Sequence, residues 1–481
     1  MSQAERIFDR VASQAARDLP QQQIVRNSLA TYDRAVGAGK DRFADWQEAR
    51  ARCHAIKAEA VAHLDTYLLQ FEERVKARGG HVFWAETADE ARDYILDLAR
   101  RRGARLAIKS KSMVSEEVRL TAALEGAGIE TVETDLGEFI VQLRREPPYH
   151  IVTPAMHLRR AQIAELFRQK LNVPLGAETA EELAGAARAV LREKFLSADM
   201  GITGANFLIA DQGLAAITEN EGNARLTSSL PRVHVVLTGI EKVLPRLADL
   251  ALFWPVLSTA GTGQAITCYN SLIGGPRRPG EVDGPDEFHV VLLDNGRTAV
   301  LADPERREVL HCIRCGACLN ACPVFHTIGG HAYGTTYPGP IGAVLVPLLR
   351  GFEAFGHLSY ASSLCGACAE VCPVEIDLHY HLIRNRRDIA SKQLRPSRER
   401  RGLGLWRWAA TDVRRFERAG NLLRRLMRFK SAAVPEGGPL DPFRPWTRHR
   451  ALPAAPAESF RQWWRRERAQ PAGRAEKGAR R

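Results

Sequence analysis

Apolar positions recur along this chain with one period, then another. From residue 41 to 80, "DRFADWQEARARCHAIKAEAVAHLDTYLLQFEERVKARGG" places them at helical spacing and stops at Gly79-Gly80. That pattern predicts a helix ending at the glycine pair. Residues 1–75 read as a helical segment. Between about 76 and 300 the period shortens and alternates. "HVFWA" reads as a strand, and Thr87 with Glu90 forms a capping-box pattern before "ARDYILDLARRRG". "RLAIK" predicts a second strand, "SMVSEEVRLTAALEGAG" a helix and "IETVET" a third strand. "HIVTPA", "FLIA", "VHVVLTG" and "HVVLLD" continue the series of expected strands. Strands alternating with helices predict a mainly parallel sheet covered by helices.

The pattern changes twice more. Residues 301–390 hold two cysteine-rich runs around "GPIGAVLVPLLRGFEAFGHL", which reads as partly helical. Beyond 390, "RERRGLGLWRWAATDVRRFERAGNLLRRLMRFK" mixes arginine with Trp, Phe and Leu, the pattern of a basic amphipathic helix. The last stretch is rich in Pro, Ala and Arg and is expected to be loosely ordered. The expected domains are therefore 1–75, 76–300, 301–390 and 391–481.

Composition adds little to the fold. The chain has 481 residues, 45% of them hydrophobic, and a net charge of +12. That charge points to acidic partners or an anionic membrane surface; nucleic acid is not expected, because no motif reads it. No apolar run reaches the roughly 18–20 residues of a membrane span. "MSQAERIFDRVASQ" has no secretory pattern, so a cytoplasmic protein, peripheral at the inner face of the membrane, is expected.

The chemistry is in the cysteines. Seven of the nine lie in two tight groups, which favours metal ligation over disulfides. "CIRCGACLNACPV" supplies Cys312, Cys315, Cys318 and Cys322-Pro323 in the ferredoxin spacing. "SSLCGACAEVCPV" repeats it with Cys365, Cys368 and Cys372-Pro373, but Ser362 stands where the first cysteine is expected. In such pairs the cysteine before proline serves the other cluster. The expected sets are Cys312, Cys315, Cys318 and Cys372 for cluster 1, and Cys322, Cys365 and Cys368 for cluster 2, with Ser362 a candidate fourth ligand. Cluster 1 is expected to be 4Fe–4S. Cluster 2 is either 3Fe–4S or a 4Fe–4S cube with an odd iron held by Ser362, another group or solvent.

Other motifs are weak. "GTGQAITC" has only two of the dinucleotide-binding glycines. "TENEGNARLTSSLPRVH" is the densest polar stretch between strands, so Glu219, Asn220, Glu221, Asn223 and Arg225 are candidates for a ligand pocket. "KSKSMVSEE", between a strand and a helix, is a candidate anion holder.

Three stretches together carry a family likeness. "HCIRCGACLNACPVF", "GGHAYGTTYPGPIGAVLVPLL" and "SSLCGACAEVCPVEIDLH" resemble the lactate-utilisation protein B family. "GITGANFLIADQGLAAITENEGNARLTSSLPRVHVVLTGIEKVLP" resembles its lactate-utilisation domain, and "PLDPFRPWTRHRALPAAPAESFRQWW" its C-terminal segment. The resemblance implies an α/β domain of sugar-isomerase or CoA-transferase-like fold, followed by a helical ferredoxin-type two-cluster domain. It implies an iron–sulfur electron-transfer subunit, without catalysis of its own, in a three-protein system oxidising L-lactate to pyruvate. The implied partners are a cysteine-rich iron–sulfur protein and a second lactate-utilisation-domain protein. It also implies that Ser362 is usual in the family. One departure concerns "ADQG": Asp211 and Gly213 keep the acid and the turn, while Gln212 replaces a Thr or Ser. Asp211 and Gly213 join the pocket candidates. The competing expectations are an iron–sulfur subunit of a glycolate or other 2-hydroxy-acid oxidase, and a ligand-binding redox sensor.

Overall fold

The structure is a computed structural model describing residues 2–171, 176, 178–395, 397–433, 437–447 and 450–469. Residues Met1–Leu394 pack as one unit and Arg395–Arg481 as another.

Ten strands build two sheets: β1 His81–Ala85, β2 Leu106–Lys109, β3 Glu130–Glu133, β4 Met200–Thr203, β5 Phe207–Ile209, β6 Leu214–Glu219, β7 Val233–Gly239, β8 Val243–Leu244, β9 Tyr269–Ile273 and β10 Glu287–Leu293. The larger sheet has the order β1-β10-β7-β4-β2-β3, and its pairs are all parallel. β2, β4, β7 and β10 are buried almost end to end, as a sheet covered on both faces requires. From β2 the chain runs outward to β3; from β4 it runs the other way to β7. The sheet therefore reverses its winding between β2 and β4, the topological switch point where α/β folds bind ligands.

The second sheet, β8-β5-β6-β9, is mixed: β5–β6 and β6–β9 are antiparallel, β5–β8 parallel. The expectation of one mainly parallel sheet missed it, because "FLIA" turns back at Gly213 instead of leading into a helix. Gly213 sits at φ +62, and a Cβ there would meet Arg74 at 2.5 Å. "HIVTPA" is not a strand. Residues 150–155 are irregular, with Ile151 buried in the same core as the cysteine motifs. Its apolar alternation reflects burial in a loop rather than in a sheet. The helix expected over 41–78 is two helices, Trp46–Ala62 and Leu64–Ala77, broken at His63. "SMVSEEVRLTAALEGAG" likewise breaks at Arg119, where φ is +53.

One hydrophobic core joins Val25 and Leu29 of the helix Leu19–Lys40, Phe253 and Val256 of the helix Leu250–Thr262, and Ile313, Leu319, Phe325 and Val344 around the cysteine motifs. The cysteine region is thus packed as part of the α/β body. "GPIGAVLVPLLR" forms the buried helix Gly339–Arg350 within it.

In the C-terminal unit, the helices Ser397–Ala410, Val413–Ala433 and Phe460–Ala469 leave Trp406, Trp408, Leu422, Leu423, Leu426 and Trp463 exposed among arginines. The single amphipathic helix expected there is interrupted at Thr411-Asp412. Residues 470–481, expected to be loosely ordered, lie outside the described residues. No described helix is long and apolar enough to cross a membrane.

Candidate metal centre

The two cysteine motifs adopt the same backbone. Arg314 (φ 61) and Gly316 (φ 82) in the first copy match Leu364 (φ 57) and Gly366 (φ 86) in the second. Short helices follow in both, Ala317–Asn320 and Ala367–Glu370. Gly316 and Gly366 meet different surroundings. A Cβ on Gly316 would touch Val152 at 3.0 Å, while one on Gly366 would meet nothing within 4 Å. The first copy is buried against the α/β body and the second faces outward.

The fold brings Cys372 from the second motif to the thiols of the first. Burial pushes the Cys315 and Cys318 thiols up, and nearby sulfurs push further: Cys372 and Cys312 on Cys315, and Cys312, Cys315 and Cys372 on Cys318. The other three thiols form a second group. Burial raises Cys322, with Cys365 adding to it; burial raises Cys368 to about 11, with Cys322 and Cys365 adding. Cys365 is exposed and lies below its ordinary value, because the Ala367 N–H and the Ser363 hydroxyl stabilise its thiolate.

Backbone N–H groups point at these sulfurs. Ile341, in the first turn of the helix Gly339–Arg350, serves Cys318; Ile376 and Val374 serve Cys372; Phe325 and Val324 serve Cys322. The Ile376 N–H to Cys372 Sγ distance is 3.4 Å. Such bonds stabilise thiolates and tune iron–sulfur potentials.

Two observations test whether a cluster suits the donors. A single tetrahedral zinc holds sulfurs at about 2.3 Å, which puts them about 3.8 Å apart. Among the described residues no three of these thiols draw within 4.8 Å of one another. They stand wider apart than the ligands of a single zinc ion. Moreover, the Tyr333 hydroxyl, buried beside Cys318 and Cys322, and the Arg314 Nη1 beside Cys312 have no hydrogen-bond partner. Sulfide and thiolate bound to iron would supply those acceptors. The residues fit iron–sulfur clusters.

Ser362 is held in place by its own loop. Its Oγ accepts the Leu364 N–H at 3.1 Å, and its carbonyl accepts Arg386 Nη2 at 3.0 Å. Three of the nearby histidines are engaged elsewhere: His326 with the Asn320 carbonyl, His331 with the Pro147 carbonyl and His381 with Glu308.

Buried cations gather on the Cys312 side. Lys57 (1% exposed) donates to the Glu241 carbonyl at 2.6 Å and faces Cys312. Lys242 and Arg314 face the same thiol. Arg314 also stacks on Tyr337 at 4.7 Å and pairs with Glu241 at 3.2 Å. Arg297 lies between Glu241 (2.6 Å) and Glu117 (2.8 Å), and the Tyr337 hydroxyl donates to Glu117 at 2.6 Å. Burial alone would raise Glu241, but Arg297, Arg314 and Lys242 outweigh it and hold the carboxyl at about 2. Lys57, Lys242, Arg297 and Arg314 thus face two carboxylates, Glu117 and Glu241. Burial lowers Lys57 to about 7 and Lys242 to about 8, so an anionic cluster beside them would favour their charged forms and complete the excess of cations.

A cavity of about 640 Å³ opens against this wall, bounded in part by Arg314, Cys315, Tyr337 and Lys242. Glu219, Asn220, Glu221 and Asn223 also line it; Asp211, Gly213 and Arg225 do not. Asp211 instead accepts the Leu247 N–H at 3.0 Å beyond the β5–β6 turn, and Arg225 stacks on Tyr269 at 5.6 Å. Of "KSKSMVSEE", Lys109 is buried against Glu133 (2.7 Å) and Glu116 (3.1 Å), whereas Lys111 reaches the cavity and pairs with Asp135. Sequence reasoning missed Lys242 and Arg314. One signal was available: Glu241-Lys242 is a charged pair inside the apolar run "VHVVLTGIEKVLP", just past a parallel strand.

Residues 68–293 match the LUD domain and residues 308–376 the 4Fe-4S dicluster domain. The chain is 42% identical to the uncharacterised electron transport protein YkgF of Escherichia coli K12, over 93% of this chain and 94% of that one. It is 43% identical to lactate utilization protein B of Bacillus pumilus, over 90% and 92% of the two chains. With lactate utilization protein B of Bacillus subtilis the identity is 43%, over 88% of each. A crystal structure of a DUF162 family protein from Deinococcus radiodurans covers 48% of this chain and 98% of its own, at 14% identity and a TM-score of 0.27.

Proposed function

The chain belongs to the lactate utilisation protein B family, and from that premise we propose that it is the iron–sulfur subunit of a multi-protein system oxidising L-lactate to pyruvate. Its role is electron transfer in lactate utilisation. The observation that carries this reading is the sorting of seven cysteines into two groups across two motifs. Cys312, Cys315, Cys318 and Cys372 would hold one 4Fe–4S cluster. Cys322, Cys365 and Cys368 would hold a second, either 4Fe–4S with Ser362 as a candidate fourth ligand or 3Fe–4S. When bound, such clusters supply one-electron transfer.

The α/β body is assigned to the sugar-isomerase and CoA-transferase-like folds on its parallel sheet. The partners assigned are a cysteine-rich iron–sulfur protein and a second lactate-utilisation-domain protein. The exposed Trp and Leu side chains among arginines in the C-terminal unit suit peripheral contact with an anionic membrane.

A strain lacking this chain is expected to stop growing on L-lactate while still growing on pyruvate. Undiminished growth on lactate would sink the substrate assignment. If growth on glycolate were lost instead, the rival 2-hydroxy acid would take its place.

The cation excess predicts an asymmetry of potential. A unit charge several ångströms away, at an effective dielectric near 20, is worth about 2 kcal/mol. For one electron about 1.4 kcal/mol corresponds to about 59 mV. Burial lowers Lys57 to about 7, so only its charged fraction acts; Lys57→Met is expected to lower the potential of the cluster at Cys312 by no more than about 80 mV and leave the other unchanged. EPR-monitored redox titration reads both; equal shifts would refute the assignment.

A further inference from the structure

The cavity reaches Cys315 and none of the other six cysteines of the two motifs. It lies at the carboxyl ends of β2 and β4, where the larger sheet reverses its winding, and Ser110, Lys111 and Gly204 bring those ends into its wall. That is where an open parallel sheet offers a ligand its crevice. Gly204 lets the two loops close up: a Cβ there would meet Ser112 Oγ at 2.9 Å.

Among the described residues, two polar side chains that are more than nine-tenths buried line the cavity and make no side-chain hydrogen bond. Lys242 is 6% exposed, and its ammonium makes no hydrogen bond or ion pair. Asn223 is 7% exposed, and its side-chain amide is likewise unpaired. Both polar ends open onto the cavity and are not sealed within protein, so both are free to meet an occupant. The wall carries two kinds of charge. Lys242 and Arg314 stand together near the cysteines. Asp135, Glu219 and Glu221 form a separate acidic group around Lys111. Cations suit an anionic group; carboxylates and amides accept from hydroxyls. The volume, about 640 Å³, is typical of sites for cofactor-sized ligands and holds a three-carbon acid with room to spare.

We propose that this cavity binds a hydroxylated organic anion, its anionic group on Lys242 and Arg314 beside Cys315 and its hydroxyls towards Asn223 and the acidic group. Two sources share that chemistry: a 2-hydroxy acid, and a phosphorylated polyol such as the side chain of flavin mononucleotide. The ligand and the iron at Cys312 draw on the same cations. Occupancy therefore lowers that cluster's potential, and oxidation tightens binding in return. This last coupling rests on the iron–sulfur reading above; the binding itself does not.

The test uses full-length protein prepared without oxygen, with iron and sulfide quantified. L-lactate and flavin mononucleotide are each titrated by calorimetry. One of them is expected to bind, and to do so at least tenfold more weakly in Lys242→Met and in Asn223→Leu. The second variant lies away from the cysteines and guards against loss of iron in the first. Binding of lactate names the substrate as occupant, and binding of the flavin names a cofactor. The bound ligand is expected to shift only the EPR signal that depends on Cys372. If neither probe binds, or if binding survives both substitutions, the proposal falls. If a probe binds to protein that carries no iron–sulfur cluster, the cavity stands and the electron-transfer reading fails.

Discussion

Cys372→Ala is expected to abolish the cluster seated in the first motif, although Cys372 belongs to the second. It lies with Cys312, Cys315 and Cys318, whose thiols its own sulfur influences. Removing one thiolate from a four-cysteine site leaves three ligands and a gap in a buried wall. Cys322→Ala is expected to do the reverse, removing the cluster of Cys365 and Cys368. EPR with quantified iron separates the two outcomes, and Ser362→Cys labels the second signal by changing its shape. Should Cys372→Ala erase the signal that Ser362→Cys alters, the exchange of ligands between motifs would be disproved.

The second large effect is expected at Arg297, whose side chain is fully buried between Glu117 and Glu241. Burial opposes its charge, yet the two carboxylates outweigh burial and hold the guanidinium protonated. Arg297→Met leaves both carboxylates buried and short of a partner. Breaking a buried pair in this way costs about 3–5 kcal/mol. Glu117 keeps the Tyr337 hydroxyl and the Asn295 amide, and Glu241 keeps Arg314, so the lower part of that range is expected. Arg297→Lys retains the charge but cannot span both carboxylates, and is expected to fall between. Urea unfolding followed by tryptophan fluorescence measures the loss. An unchanged midpoint would mean that the two carboxylates take up protons without cost.

Parts of this architecture were legible because local signals agreed with the fold. "HVFWA", "RLAIK", "VHVVLTG" and "HVVLLD" became parallel strands, and Thr87 caps its helix by accepting the Glu90 N–H at 3.2 Å. The cysteine spacing was legible for a similar reason: ligands of one motif must be near neighbours in sequence. "HIVTPA" was misread because burial against the cysteine region produces the same apolar alternation as a strand. Within "TENEGNARLTSSLPRVH", Glu219, Asn220, Glu221 and Asn223 do reach one cavity. Its cationic wall was hidden because Lys242 and Arg314 meet only in space.

The proposed exchange of Cys322 and Cys372 between the clusters has a further consequence for assembly. The closure from Cys365 to Cys322 is nested inside the closure from Cys372 to Cys312. Each closure by metal removes chain entropy from the unfolded state. Once one is made, the ends of the other are already close, and making the second costs less. Filling of the intact chain should therefore be cooperative, although either cluster still forms where a ligand of the other is replaced. A preparation of the intact chain carrying half its iron would be enriched in full and empty chains over half-filled ones.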